Sequence, residues 1–331
     1  MFWFSPVYIV NRQIWISATQ DYTGWGRGEV TNDDQAEREA APGSLDTMVL
    51  VPTKVAIKSR PIVMRAEALE KFPWLLHGFS TRHAGNLDFT KDTPRPPVEG
   101  NRRSFIGRLT GGKAYPLVTL RQIHSDLIHH VSDAPGHPLA GDGLITRTAG
   151  LLLAVETADC LPVIVADRRS RAVGVFHAGW RGTVKRIVEK GVGEMRRSFR
   201  TRPKDVYAAI GPGVHDCCYQ VGAEVRDRFH SQFAYAGELF RETRDADEIH
   251  ERYPLLFLTA RAPGHSEEHL PKKIFLDLVA ANRRQLLDAG VPEAHISASP
   301  LCTVCRNDLL FSYRKEKDAA GRLMAVVGIS G

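Results

Sequence analysis

A mixed α/β fold, one layered domain with a mixed sheet core flanked by helices, is what this sequence predicts, and three observations predict it. Short apolar runs of strand length recur along the chain, stretches with apolar residues at helical spacing lie between them, and the two kinds mix without strict alternation. No repeat of fixed period occurs, which excludes a solenoid. The chain has 331 residues, 43% of them hydrophobic, enough for a sizeable core in one large domain or two small ones.

Residues 1–47 differ from the rest. Trp3, Trp15 and Trp25 are scattered, and residues 32–42 are polar and acidic with no hydrophobic period, so a poorly ordered extension is expected there. Met48 opens an apolar stretch and reads as an alternative start, which places the catalytic domain at residues 48–331. The apolar opening of the chain has no basic residues before it and is too short to span a bilayer.

Residues 66–72 suit a short helix, and residues 75–80 a strand leading into Thr81-Arg82-His83. The proline-rich, charged segment 90–100 reads as a surface connection. Strands are expected at 118–122 and 150–155, the latter an unbroken apolar run of the kind buried on both faces. Two more, 161–166 and 172–176, flank the polar turn Asp167-Arg168-Arg169-Ser170. Val184, Ile187, Val188, Met195 and Phe199 recur at helical spacing, and the start of that helix just after Gly182 points free N–H groups that could hold an anion. A strand at 206–210, a helix at 221–229 and a long connection at 231–272 follow. Residues 274–289 read as a helix stopped by Gly290 and Pro292, before strands at 296–299 and 325–329.

The chemistry concentrates where these strands end. Cys160 precedes one strand of the 161–176 pair and His177 follows the other, so a hairpin makes them neighbours. His124 also follows an apolar run. A Cys-His-His set with one open position suits catalytic zinc, and copper accepts the same donors. The residues alone leave a different enzyme open, a hydrolase with Cys160 as thiolate nucleophile and His177 as its base. Cys302 and Cys305 match half of a zinc knuckle but have no second pair nearby in sequence, so these two and Cys217-Cys218 read as separate structural thiols. Five cysteines, an odd count, suit reduced thiols and a cytoplasmic location. A formal charge of +6 is spread over interleaved acidic and basic residues, with no basic run of the kind nucleic acid needs. No heptad or apolar stripe speaks to oligomeric state.

The strings His77-Gly78-Phe79-Ser80-Thr81-Arg82, Gln122-Ile123-His124-Ser125, Asp142-Gly143-Leu144-Ile145-Thr146, Thr157-Ala158-Asp159-Cys160-Leu161-Pro162, His177-Ala178-Gly179-Trp180-Arg181-Gly182 and Gly211-Pro212-Gly213 through Cys217-Cys218-Tyr219 stand in this order. Together with Asp277-Leu278, Asn282, Cys302-Thr303 and Phe311-Ser312-Tyr313-Arg314, they resemble the YfiH family. That family is also called the multicopper polyphenol oxidase or laccase-like family, and is described as purine nucleoside phosphorylases. The resemblance covers roughly residues 61–331 and places the family's zinc ligands on His124, Cys160 and His177. It implies phosphorolysis of adenosine, inosine and methylthioadenosine and deamination of adenosine, with purine nucleosides and inorganic phosphate as partners. In that chemistry Asp159 is the candidate for moving protons, and Arg82 and Arg181 are candidates for holding phosphate. Editing of cell-wall precursors fits the thiolate alternative, and the oxidase name implies copper-dependent polyphenol oxidation. A laccase-type trinuclear copper centre uses His-x-His pairs, and none of the thirteen histidines forms one.

Overall fold

The apolar runs become the strands of two stacked sheets. The computed structural model describes residues 9–10, 13–14, 61–89, 95–244 and 272–331. Residues 61–331 belong to one compact unit. The strands of the two large sheets are β1 (Val63–Met64), β2 (Leu75–Ser80), β3 (Leu117–Val118), β4 (Ile128–His130), β5 (Gly143–Thr146), β6 (Leu152–Thr157), β7 (Leu161–Asp167), β8 (Val173–Ala178), β9 (Val206–Ile210), β10 (Ile296–Ala298) and β11 (Leu323–Ile329). One sheet has the order β1-β2-β11-β6-β3 and the other β10-β9-β7-β8-β5-β4. Both are mixed: β3 runs parallel to β6, and the six-stranded sheet has a parallel pair at each edge, β9 with β10 and β4 with β5.

Side-chain alternation along each strand sorts the apolar residues into three cores. Leu153, Val155, Ile164, Ala166, Val173, Val175, Ala325 and Val327 face one another between the sheets. The other faces of β7 and β8, with Leu161, Val163, Val165 and Phe176, share a core with α3 (Ile187–Phe199), α4 (Ala223–His230) and α5 (Leu278–Asp288). The outer faces of β6 and β11, with Leu152, Ala154, Met324 and Val326, pack on Phe105 and Leu109 of α1 (Arg95–Thr110). The result is four layers, helix, sheet, sheet, helix. Both central sheets are covered on both sides, which is why β7 is apolar from Leu161 to Ala166.

Four expectations need correction. Within the long connection expected at 231–272, Phe240–Arg244 forms a strand that pairs antiparallel with Lys272–Leu276. The segment 90–100 is not a connection throughout, because α1 starts at Arg95. Pro96 and Pro97 sit in its first turn, where the missing N–H costs nothing. The helix expected from Val184 is two: α2 (Trp180–Val184), a single turn, then α3, separated by Arg186 in the left-handed region at φ 64°. A turn that short offers no anion site at its start. Finally, residues Lys272–Leu276 form a strand, and α5 begins only after Asp277, whose Oδ1 accepts the Ala280 N–H at 2.8 Å. Within the N-terminal extension, Ile9–Val10 pairs antiparallel with Gln13–Ile14; the rest of that expectation and the boundary near Met48 lie outside the described residues. Among the described residues no helix is long and apolar enough to cross a membrane.

Candidate metal centre

The β7–β8 hairpin delivers two of the candidate ligands. Its register pairs Pro162 with His177 and Leu161 with Ala178, so Cys160, one residue before β7, comes to the strand end that carries His177. The hairpin turn is fixed by Asp167, whose carboxylate accepts from the amides of Arg169 and Ser170 and from the Ser170 hydroxyl. His124 reaches the same place from a turn after Leu120–Arg121, with its backbone at φ 56°. The ligand atoms of His124, Cys160 and His177 all lie within 4.8 Å of one another. His177 is buried, Cys160 half-buried and His124 exposed, which leaves one side of the set open.

Asp142 organises two of the three. Its carboxylate accepts the amides of Ile123 at 3.2 Å, His124 at 3.0 Å and Ser125 at 2.6 Å, and the Ser125 hydroxyl at 2.7 Å. It also accepts His177 Nδ1–H at 2.8 Å, which turns Nε2 towards the centre, where loss of its proton frees the lone pair for a metal. Burial alone raises the Asp142 pKa, but the hydrogen bonds from His177 and Ser125 win and hold it well below the usual carboxylate range. Burial likewise opposes ionisation of Cys160, yet the His177 charge and hydrogen bonds from both histidines bring its thiol down to about 6. Burial disfavours the His177 cation, and the Cys160 thiolate and Asp142 reverse this, raising it to about 9. The sulfur is therefore a thiolate, the form that binds metal.

Gly179 makes room for these groups. A Cβ there would lie 2.8 Å from Cys160 Sγ and 3.3 Å from His124 Cδ2. Two imidazoles, one thiolate, an oriented tautomer and an open side together fit zinc in a three-donor site.

Beside the centre runs a groove of about 510 Å³ lined by Trp180, Arg181, Tyr219, Glu224 and Arg314 among others. Burial, and next the Cys160 charge, raise the Tyr219 phenol, so it stays protonated at neutral pH. The Arg314 guanidinium lies 4.7 Å from the Tyr219 ring centroid, and that of Arg181 4.5 Å from Trp180. Of the phosphate-holding candidates, the exposed Arg181 lines this groove. Arg82 is engaged elsewhere, donating to the Asn307 carbonyl and to Glu316 at 2.9 Å and stacking on Phe311. Asp159 is next to the sulfur, at φ 94°, but Oδ1 accepts from the Thr303 hydroxyl and Oδ2 from the Arg314 amide, each at 2.6 Å. Asp142, Tyr219 and Arg314 carry no role in the sequence reading; the signal at Asp142 was its place at the head of a glycine-flanked string shared with the YfiH family. The four remaining cysteines, expected as separate thiols, converge in a second cluster, because the loops that carry them pair in space.

Residues 76–330 match the family model described as multi-copper polyphenol oxidoreductase laccase. The chain belongs to the YfiH family. YfiH-family relatives include a purine nucleoside phosphorylase of Deinococcus radiodurans, 33% identical over 76% of this chain and 88% of its own length. Another is the purine nucleoside phosphorylase YlmD of Geobacillus stearothermophilus, 33% identical over 78% of this chain and 91% of its own. An adenosine deaminase RL5 from an unknown prokaryotic organism is 35% identical over 55% of this chain and 59% of its own. The crystal structure of the Geobacillus YlmD covers 83% of this chain and 98% of its own with a TM-score of 0.66, at 31% identity. The mixed α/β fold is thus the YfiH-family fold.

Proposed function

We propose that the protein is a zinc-dependent purine nucleoside phosphorylase of the cytoplasm, acting on adenosine, inosine and methylthioadenosine, with adenosine deaminase activity at the same site. The observation that carries this reading is the convergence of His124, Cys160 and His177 beside a groove with aromatic and cationic walls. The names of the relatives support the substrate class.

His124, Cys160 and His177 would hold a zinc ion, which would supply a Lewis acid to the site. The remaining work falls to the chain. Trp180 and Tyr219 offer ring faces to a purine, and the protonated Tyr219 hydroxyl can donate to a base nitrogen. Arg181 places phosphate: one of its oxygens bonds to C1′ while the C1′–N9 pair leaves with the purine, which takes up a proton. Asp159, next to the sulfur, is the carboxylate placed to move protons, and its oxygens, which accept from the Thr303 hydroxyl and the Arg314 amide, also position the Cys160 turn and the Arg314 backbone. Arg82 braces the chain around Asn307 and Glu316.

Incubation of zinc-loaded protein with adenosine tests the reading. Adenine and ribose 1-phosphate are expected with phosphate present, and inosine without it; neither product under both conditions would overturn it. Cys160→Ala is expected to lose the zinc of this centre and turnover together.

One geometric observation favours a second reading. Cys160 Sγ lies within 4.8 Å of a ring nitrogen of His177, whose Nδ1 is held by Asp142, the constellation of a Cys-His-Asp hydrolase, such as one editing cell-wall precursors. Metal-free protein that hydrolyses its substrate and stops on Cys160→Ser would select it. Copper accepts the same three donors, and a polyphenol oxidase predicts phenol-dependent oxygen uptake that depends on copper loading.

A further inference from the structure

We propose that Cys217, Cys218, Cys302 and Cys305 form a second metal centre, a closed four-sulfur zinc site that fastens together the two loops behind Asp159 and Cys160. It shares no residue with the first centre. The sulfurs of Cys217 and Cys218 are 3.6 Å apart, those of Cys217 and Cys305 3.6 Å, and those of Cys218 and Cys305 3.4 Å. All four lie within 4.8 Å of one another. Four thiolates around zinc at about 2.3 Å give a tetrahedron with edges of about 3.8 Å, so the separations are those of a site needing only small adjustment.

The competing explanations fit less well. A disulfide has its sulfurs about 2.0 Å apart and joins two of them, whereas here three sulfurs are mutually equidistant to within 0.2 Å. Packing of apolar thiols does not account for the cluster either, because Cys217 and Cys305 are exposed. Cys302 alone is buried. Four soft donors with no oxygen or water-bearing position make a structural zinc site.

The two loops already meet through backbone. Gly213 bridges Cys302, and the Thr303 amide donates to the Gly213 carbonyl at 2.9 Å. The same loops reach the first centre: the Val214 amide donates to the Asp159 carbonyl at 2.8 Å, and the Thr303 hydroxyl holds Asp159 Oδ1. Tyr219 of the groove follows Cys218 directly. A metal clip between positions 217–218 and 302–305 therefore restrains the turn that presents Cys160 and the wall that carries Tyr219.

Metal analysis of the full chain, purified without chelator under reducing conditions, tests the proposal. The wild type is expected to hold two zinc ions per chain, and Cys160→Ala one. Cobalt loaded into that Cys160→Ala chain is expected to show the intense thiolate charge-transfer bands of a four-sulfur tetrahedral site. The Cys302→Ser/Cys305→Ser chain is expected to retain one zinc. A Cys160→Ala chain with no zinc and no sulfur-to-cobalt band overturns the proposal, as does a disulfide among these four cysteines found by mass spectrometry. If the serine variant does not fold, the Cys160→Ala measurements still decide. Failure of the first centre alone is distinguishable, because the wild type and Cys160→Ala would then both hold one zinc.

Discussion

Asp142 accepts five hydrogen bonds, from the amides of Ile123, His124 and Ser125, the Ser125 hydroxyl and His177 Nδ1, so one carboxylate sets both the turn that carries His124 and the tautomer of His177. Asparagine keeps the size but turns one acceptor into a donor facing donors. Asp142→Asn is expected to weaken zinc binding about 10- to 100-fold, the usual effect of losing a carboxylate behind a histidine ligand, measured by competition with a chromophoric chelator. Unchanged affinity would mean that the carboxylate does not orient the ligands. Gly179 acts by absence: in Gly179→Ala the new methyl meets Cys160 Sγ at 2.8 Å, and zinc content is expected to fall while the hairpin still forms. His124, Cys160 and His177 were legible in the sequence because strand-end positions and ligand chemistry point the same way. Asp142 was not, since an aspartate before a glycine reads as an ordinary turn until the three amides it collects are placed around it.

The helices position the groove through buried polar contacts. On α5, Asn282 Nδ2 donates to the Thr183 hydroxyl at 3.1 Å and Gln285 Nε2 to the Thr183 carbonyl at 2.7 Å, and all three residues are fully buried. These bonds clamp α2, the single turn that presents Trp180 and Arg181 and is too short to persist alone. Asn282→Ala leaves the Thr183 hydroxyl without this partner at a cost of about 1–3 kcal/mol. It is expected to raise the nucleoside KM several-fold without changing zinc content; an unchanged KM would show that the Asn282 bond does not hold α2 in place. The strand Lys272–Leu276 was misread because Ile274 and Leu276 satisfy both periods, although Asp277 four residues before Ala281 was an available start signal. Helix α1 was hidden by prolines that read as a loop but are compatible with a first turn.

Stacking of two sheets was not legible, because each strand announces its own burial and not its partner: β11, last in the chain, sits between β2 and β6. For the same reason the two cysteine pairs, far apart in sequence, gave no sign of meeting. Alternation along β2 puts His77 on the face of Leu75 and Phe79, which belong to the inter-sheet core. There His77 is 1% exposed and accepts the Ala66 amide at Nε2, as a neutral ring does. Burial first and the Arg65 charge second lower its pKa from 6.5 to about 4. Above 6.5 it is neutral in both states; between 6.5 and 4 the unfolded chain takes up a proton that the folded one refuses, so stability falls as pH falls, by about 1.4 kcal/mol per unit. Glu156 opposes this over part of the range, because burial raises its carboxyl to about 8 despite the Arg102 guanidinium, so wild-type stability alone does not isolate His77. The difference from His77→Gln does, since glutamine can accept the Ala66 amide and does not titrate. Urea unfolding of both proteins is expected to show the wild type losing about 2 kcal/mol relative to the variant between about pH 6.5 and pH 5. A gap that stays constant across that range would mean that His77 is not held neutral between the sheets.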